Sequence, residues 1–89
     1  MIGITDQEQA ALERLGKALR ANRKRRGDNQ ADAAARCGVS RETYRQMERG
    51  RPGTGFGYWI RAIRLYGDMN QLGKLFPTSL FDQLPGNKP

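Results

Sequence analysis

The residues best equipped for chemistry lie close together in mid-chain: Arg41, Glu42, Thr43, Arg45, Gln46 and Arg49. Guanidinium groups donate hydrogen bonds in a planar fork, a carboxamide donates and accepts, and a hydroxyl does either. This is the chemistry of recognition rather than of bond breaking. Bond-making chemistry has no comparable cluster, because the chain has no histidine and offers no nucleophile beside a base. The glycine-rich run Arg51-Pro52-Gly53-Thr54-Gly55-Phe56-Gly57 is not a nucleotide loop. It lacks the G-x-G-x-x-G spacing, a preceding strand and the phosphate-loop lysine. The residues therefore predict a binding protein with no catalytic residues and no cofactor.

The charge map favours a polyanion. Of the net +7, residues 1–13 contribute −3, residues 14–51 contribute +8 and residues 52–89 contribute +2. A basic block of this kind releases condensed counterions when it meets nucleic acid. The other reading of such a block is a solvated face. At 89 residues the chain makes one domain. So short a chain buries roughly 60–65% of its unfolded surface, so help from a partner subunit is expected. A single cysteine rules out an internal disulfide, and without histidine the usual Cys/His zinc site is unavailable, so no metal is expected. Cys37, before a turn glycine, reads as a buried small hydrophobe. No apolar run reaches the ~20 residues of a membrane helix, and the amino end lacks the pattern of a signal peptide. No membrane partner and a cytoplasmic, nucleoid-associated location are the expectation.

The elements that must carry the mid-chain cluster are helices. Thr5-Asp6-Gln7-Glu8 is a capping box opening a first helix. Leu12, Leu15 and Leu19 form its apolar stripe, Arg14, Lys17, Arg20, Lys24 and Arg25 take much of the remainder, and Gly27 ends it near Arg26. Asn29 caps a second helix, in which Ala34 permits close approach of a neighbour. Gly38 supplies the left-handed turn residue, Ser40 caps a third helix and Gly50 closes it. Tyr44 and Met47 share one face of that third helix, and Arg41, Glu42, Arg45, Gln46 and Arg49 lie opposite. A fourth helix, capped by Thr54 or Gly55, shows Phe56, Trp59, Ile60 and Ile63 and ends at Gly67. A fifth, capped by Asp68, runs through Met69, Leu72, Leu75 and Phe76 until Pro77. No segment alternates like a strand. Residues 30–49 are thus two short helices around a tight turn, the punctuation of a helix–turn–helix whose second helix enters a DNA major groove.

From Leu15 to Tyr66 the chain resembles the Cro and phage-repressor (XRE-like) helix–turn–helix family. The resemblance rests on Leu15-Gly16-x-x-Leu19-Arg20-x-x-Arg23, then Gln30, Ala34, Gly38-Val39-Ser40, Tyr44, Met47 and Glu48-Arg49-Gly50 in order. Asn22 and Asp28 depart from the pattern: either the first helix is rotated slightly, or these two hydrogen-bond each other at the rim of the core. The run from Arg51 to Ile60, then Leu65-Tyr66-Gly67, Leu72 and Leu75-Phe76-Pro77, is similar to HipB-like antitoxins, autorepressors encoded beside HipA-type kinase toxins. The implied fold is all-α, a compact five-helix bundle of the phage-repressor type. It divides into a DNA-binding domain over 1–76 (helix–turn–helix 30–49) and a short, partly flexible tail over 77–89.

The resemblance also implies roles. Arg41, Glu42, Thr43, Arg45 and Gln46 would face bases, Arg41 suiting guanine and Gln46 adenine. Glu42 has a second reading, an i,i+3 ion pair that orients Arg45. Gln30, Ser40, Arg49, Arg51 and Thr54 are phosphate candidates. Arg23 and Glu48 would form a structural ion pair between the first and third helices. Trp59, Leu72, Leu75, Phe76, Leu80 and Phe81 are as a set candidates for a dimer or partner surface, although each taken singly reads first as core. The expected partners are a palindromic double-stranded operator, a second copy as homodimer, and a HipA-like kinase toxin. The expected function is a sequence-specific repressor acting as antitoxin and autorepressor, the alternative being a stand-alone phage or plasmid regulator. An interaction adaptor that keeps the fold without binding DNA is a third reading.

Overall fold

Local side-chain caps set where each helix begins. A computed structural model of the chain describes residues 3–77, which form helix α1 (Asp6–Arg25), α2 (Gln30–Cys37), α3 (Arg41–Glu48), α4 (Phe56–Tyr66) and a 3-10 helix (Met69–Lys74). The architecture is all-helical, and the described residues contain no strand. Thr5 Oγ1 accepts from the Glu8 amide at 3.1 Å while Glu8 Oε1 accepts from the Thr5 amide at 2.8 Å, closing the capping box. Asn29 Oδ1 and Ser40 Oγ accept from the third residue of α2 and α3, Asp32 and Thr43. Gly38 ends α2 at φ 68°, and the next amide, of Val39, bonds back to the Ala34 carbonyl. That left-handed residue reverses the chain tightly enough to start α3 three residues later.

The core lies where α1, α2, α3 and α4 converge. Tyr44 and Met47 of α3 are fully buried, Cys37 and Ala34 of α2 nearly so, with Leu19, Trp59, Ala62 and Tyr66 around them and Val39 half-buried at the edge. Gly16 is the contact point of α1 with α3: a Cβ there would run into the backbone carbonyls of Met47 and Glu48. This glycine sets how closely the two helices approach.

Several expectations are corrected. Leu15 is exposed and Leu12 only half-buried, so Leu19 is the leucine that α1 contributes to the core. On α4 the buried arc is Trp59, Ala62 and Tyr66. Phe56 and Ile60 sit off it by about 60–100° at 100° per residue and remain exposed. Trp59, expected on a partner surface, is 6% exposed and belongs to the core cluster. Its position three residues before Ala62 turns it inward. Asn22 and Asp28 do not pair: Asn22 Nδ2 donates to the Ala18 carbonyl, whereas Asp28 Oδ2 accepts from the Tyr66 hydroxyl at 2.7 Å. The last helix is a 3-10 turn ending at Lys74 rather than an α-helix reaching Phe76. Leu72 is half-buried and Leu75 and Phe76 are exposed. Leu80, Phe81 and most of the 77–89 tail lie outside the described residues.

Candidate nucleic-acid interface

One ion pair holds α3 in place from behind. Arg23 Nε donates to Glu48 Oε2 at 2.6 Å and Arg23 Nη2 to Glu48 Oε1 at 3.1 Å, a two-pronged contact from α1 to the end of α3. Gln30 Nε2 adds a third donor to Glu48 Oε1 at 3.1 Å, and Arg23 Nη1 also donates to the Asp28 carbonyl. Burial pushes the Glu48 carboxyl up, but the bonds from Arg23 and Gln30 outweigh it and hold the group below the ordinary carboxylate range. The bond to Glu48 likewise raises Arg23 against its own desolvation. Burial and the neighbouring Glu48 charge push the Tyr44 phenol well up. Its hydroxyl is buried beside the pair, yet no acceptor meets it at hydrogen-bond geometry.

The front of α3 is open. Arg41, Glu42 and Gln46 are exposed and Arg45 is half-buried. Arg45 Nη1 donates to Glu42 Oε2 at 3.2 Å, the i,i+3 pairing, and Gln46 Nε2 reaches Glu42 Oε1 at 3.4 Å. Both carboxylate oxygens of Glu42 are thus engaged with its own helix in the free protein. Thr43 is less available: its Oγ1 accepts from Ser40 Oγ at 2.9 Å, inside the cap of α3. Arg41 carries no side-chain bond among the described residues and stands exposed in the first turn of α3.

Most of the expected contacts border two adjoining depressions that share Arg49. Arg41, Arg45 and Arg49 border an open polar depression that Gln30 also lines, with the buried Arg23–Glu48 pair beneath. Arg51 and Arg49 border a second depression with Gln9 and Glu13. There Gln9 Nε2 donates to the Gly50 carbonyl, fixing the chain as it leaves α3. Thr54 stands apart: its hydroxyl is buried without a partner, and Gly55 is the N-cap of α4, so that helix start has no side-chain cap. Gln30, expected at a phosphate, has its amide nitrogen committed to Glu48.

Two positioning contacts are not visible in the sequence. Arg61 Nη1 of α4 donates to the Gly38 carbonyl at 3.1 Å and the Cys37 carbonyl at 3.3 Å, gripping the turn between α2 and α3. Its guanidinium also lies over the Tyr58 ring, 5.8 Å from the centroid. Asp28 joins α4 and α2 through Tyr66 and through Arg36 at 3.5 Å. Neither has a local signal, because both link residues that come together only through tertiary packing. Cys37 is buried, which pushes its thiol up, away from the thiolate form. No group of three or more His, Cys, Asp or Glu side chains able to hold a metal ion occurs among the described residues.

The chain matches the family described as "Helix-turn-helix domain" over residues 14–68, which spans α1 from its third turn through α4. No curated protein and no solved structure gives a significant match. No helix among the described residues is long and apolar enough to cross a membrane.

Proposed function

The chain belongs to the helix-turn-helix domain family, a DNA-binding fold, and from that premise we propose that it is a sequence-specific transcriptional repressor. The supporting observation is the division of α3. Tyr44, Met47 and Glu48 lock one face into the bundle, while Arg41, Glu42 and Gln46 stand exposed on the other. A helix held this rigidly presents side chains at defined positions, which base readout in the major groove requires. Arg41 suits the two acceptors of guanine and Gln46 the donor–acceptor pair of adenine. One headpiece covers few base pairs, so the functional unit is a homodimer on a palindromic operator, working in the cytoplasm.

The more specific form of the proposal is an autorepressor that also serves as antitoxin to a HipA-like kinase. Its support is the similarity of the segment from Arg51 onward to HipB-like antitoxins, together with exposed Phe56, Ile60, Leu75 and Phe76 beyond the helix–turn–helix. Base-resolution footprinting on the promoter upstream of its own gene tests the first part. Protection of two half-sites about one helical turn apart is expected. Binding no tighter than to random duplex of equal length overturns the repressor. Co-purification with the product of the adjacent gene tests the second part, and absence of a complex leaves a stand-alone regulator.

A further inference from the structure

The charge on α1 is not evenly placed. Lys17, Arg20 and Lys24 recur at i, i+3 and i+7 and share one flank of the helix, and all three are exposed. That flank adjoins the line of Gly16 and Arg23, which pack against the end of α3. Arg20 reaches the same polar depression as Arg41, Arg45 and Arg49. Arg20 of α1 and Arg41, Arg45 and Arg49 in and just after α3 therefore border one opening, with the committed Arg23 below. The carboxylate closest to it, Glu48, is already committed to Arg23 and Gln30. Glu42 pairs with Arg45, and among the described residues no carboxylate forms a salt bridge with Arg20, Lys17 or Lys24. Glu13 lies one turn before Lys17 on this flank and borders the depression of Arg49 and Arg51, so the basic track begins after it. The other flank of α1, with Leu15, Ala18 and Asn22, turns toward α4.

Like charges three and four residues apart destabilise a helix on its own. A basic track kept alongside the recognition helix is relieved by an external anion. The geometry points to α1 as a second DNA-binding element: Lys17, Arg20 and Lys24 neutralise backbone phosphates of double-stranded DNA beside the stretch that α3 reads, with Arg20 at the junction. This rests on the DNA-binding reading above. The contacts carry no base information, so they set affinity and register rather than sequence preference.

The test measures binding of the full chain to two fluorescent duplexes, one carrying its upstream promoter and one of random sequence, as a function of KCl. Each phosphate contact removed lowers the slope of log K against log salt by about 0.9. R20Q is expected to lower the slope by about one on both duplexes. The triple variant K17Q/R20Q/K24Q is expected to lower it by two to three, with the promoter-to-random ratio unchanged in both. R20K restores the slope. K74Q, a matched charge loss in the 3-10 helix, leaves it at the wild-type value. A triple variant whose slope equals that of K74Q, while the wild type binds both duplexes, overturns the role of α1 and leaves the DNA-binding reading standing. A wild type that binds neither duplex at any salt overturns both.

Discussion

Arg23 and Glu48, twenty-five residues apart, meet through two hydrogen bonds with side chains only 8% and 3% exposed. The pair bolts the last turn of α3 to α1 and so fixes the angle at which the exposed face of α3 is presented. Its value lies in position more than in net stability, because two desolvated charges offset much of their own attraction.

Removing one partner strands the other. R23M and E48L are each expected to lose about 3–5 kcal/mol of unfolding free energy. The double variant R23M/E48L, with no charge left inside, is expected to lose less than either single. Urea denaturation of the four proteins as a double-mutant cycle reads the difference. Additive losses would show that the pair does not act as a unit.

Acid should loosen the same joint. The Glu48 carboxyl titrates lower in the folded chain than when unfolded, so its contribution is complete above the unfolded value of about 4.3. That contribution is lost as pH falls through the folded value. The melting temperature should therefore drop on acidification below the ordinary carboxylate range. In E48Q, which is less stable at neutral pH, the drop should be smaller. Parallel acid curves for the two proteins would contradict the linkage.

Close packing of α1 on α3 makes Gly16 intolerant of a side chain. G16A puts a methyl group against the backbone carbonyls of Met47 and Glu48. Overpacking of this kind costs about 1–3 kcal/mol, against the gain an alanine brings to an ordinary helix. Thermal melts of G16A and of an exposed glycine control, G57A, separate the two effects. Equal stability of G16A and wild type would place the helices further apart.

On the exposed face, Arg41 and Gln46 should matter to sequence and Arg49 to affinity. R41A and Q46A are each expected to cut discrimination between the promoter and a base-substituted duplex by about 1–3 kcal/mol. R49A is expected to weaken both duplexes alike. Unchanged operator affinity in the R41A/Q46A double variant would favour an interaction adaptor that has kept the fold without reading DNA.

Much of the fold was legible because its punctuation is local. Thr5 with Glu8, Asn29, Gly38 and Ser40 each act over no more than four residues, and each occupies the cap or turn that its type predicts. The inward face of α3 was equally legible, since Tyr44 and Met47 stand three apart on a short helix. The face of α4 was misjudged. Phe56, Trp59, Ile60 and Ile63 are all apolar, and hydrophobicity alone does not say which of them the neighbouring helices cover.

The sequence by itself determined where α1, α2 and α3 start and stop, that Gly38 turns the chain between α2 and α3, and which residues of α3 are polar. Tertiary structure decided which flank of α1 meets α3, that Trp59 packs inside, that Asp28 bonds to Tyr66 rather than Asn22, and that Arg61 grips the turn. The physical reason is range. Caps and helical faces are set by bonds and spacings of a few residues, whereas those four choices depend on how whole helices shed apolar surface against one another.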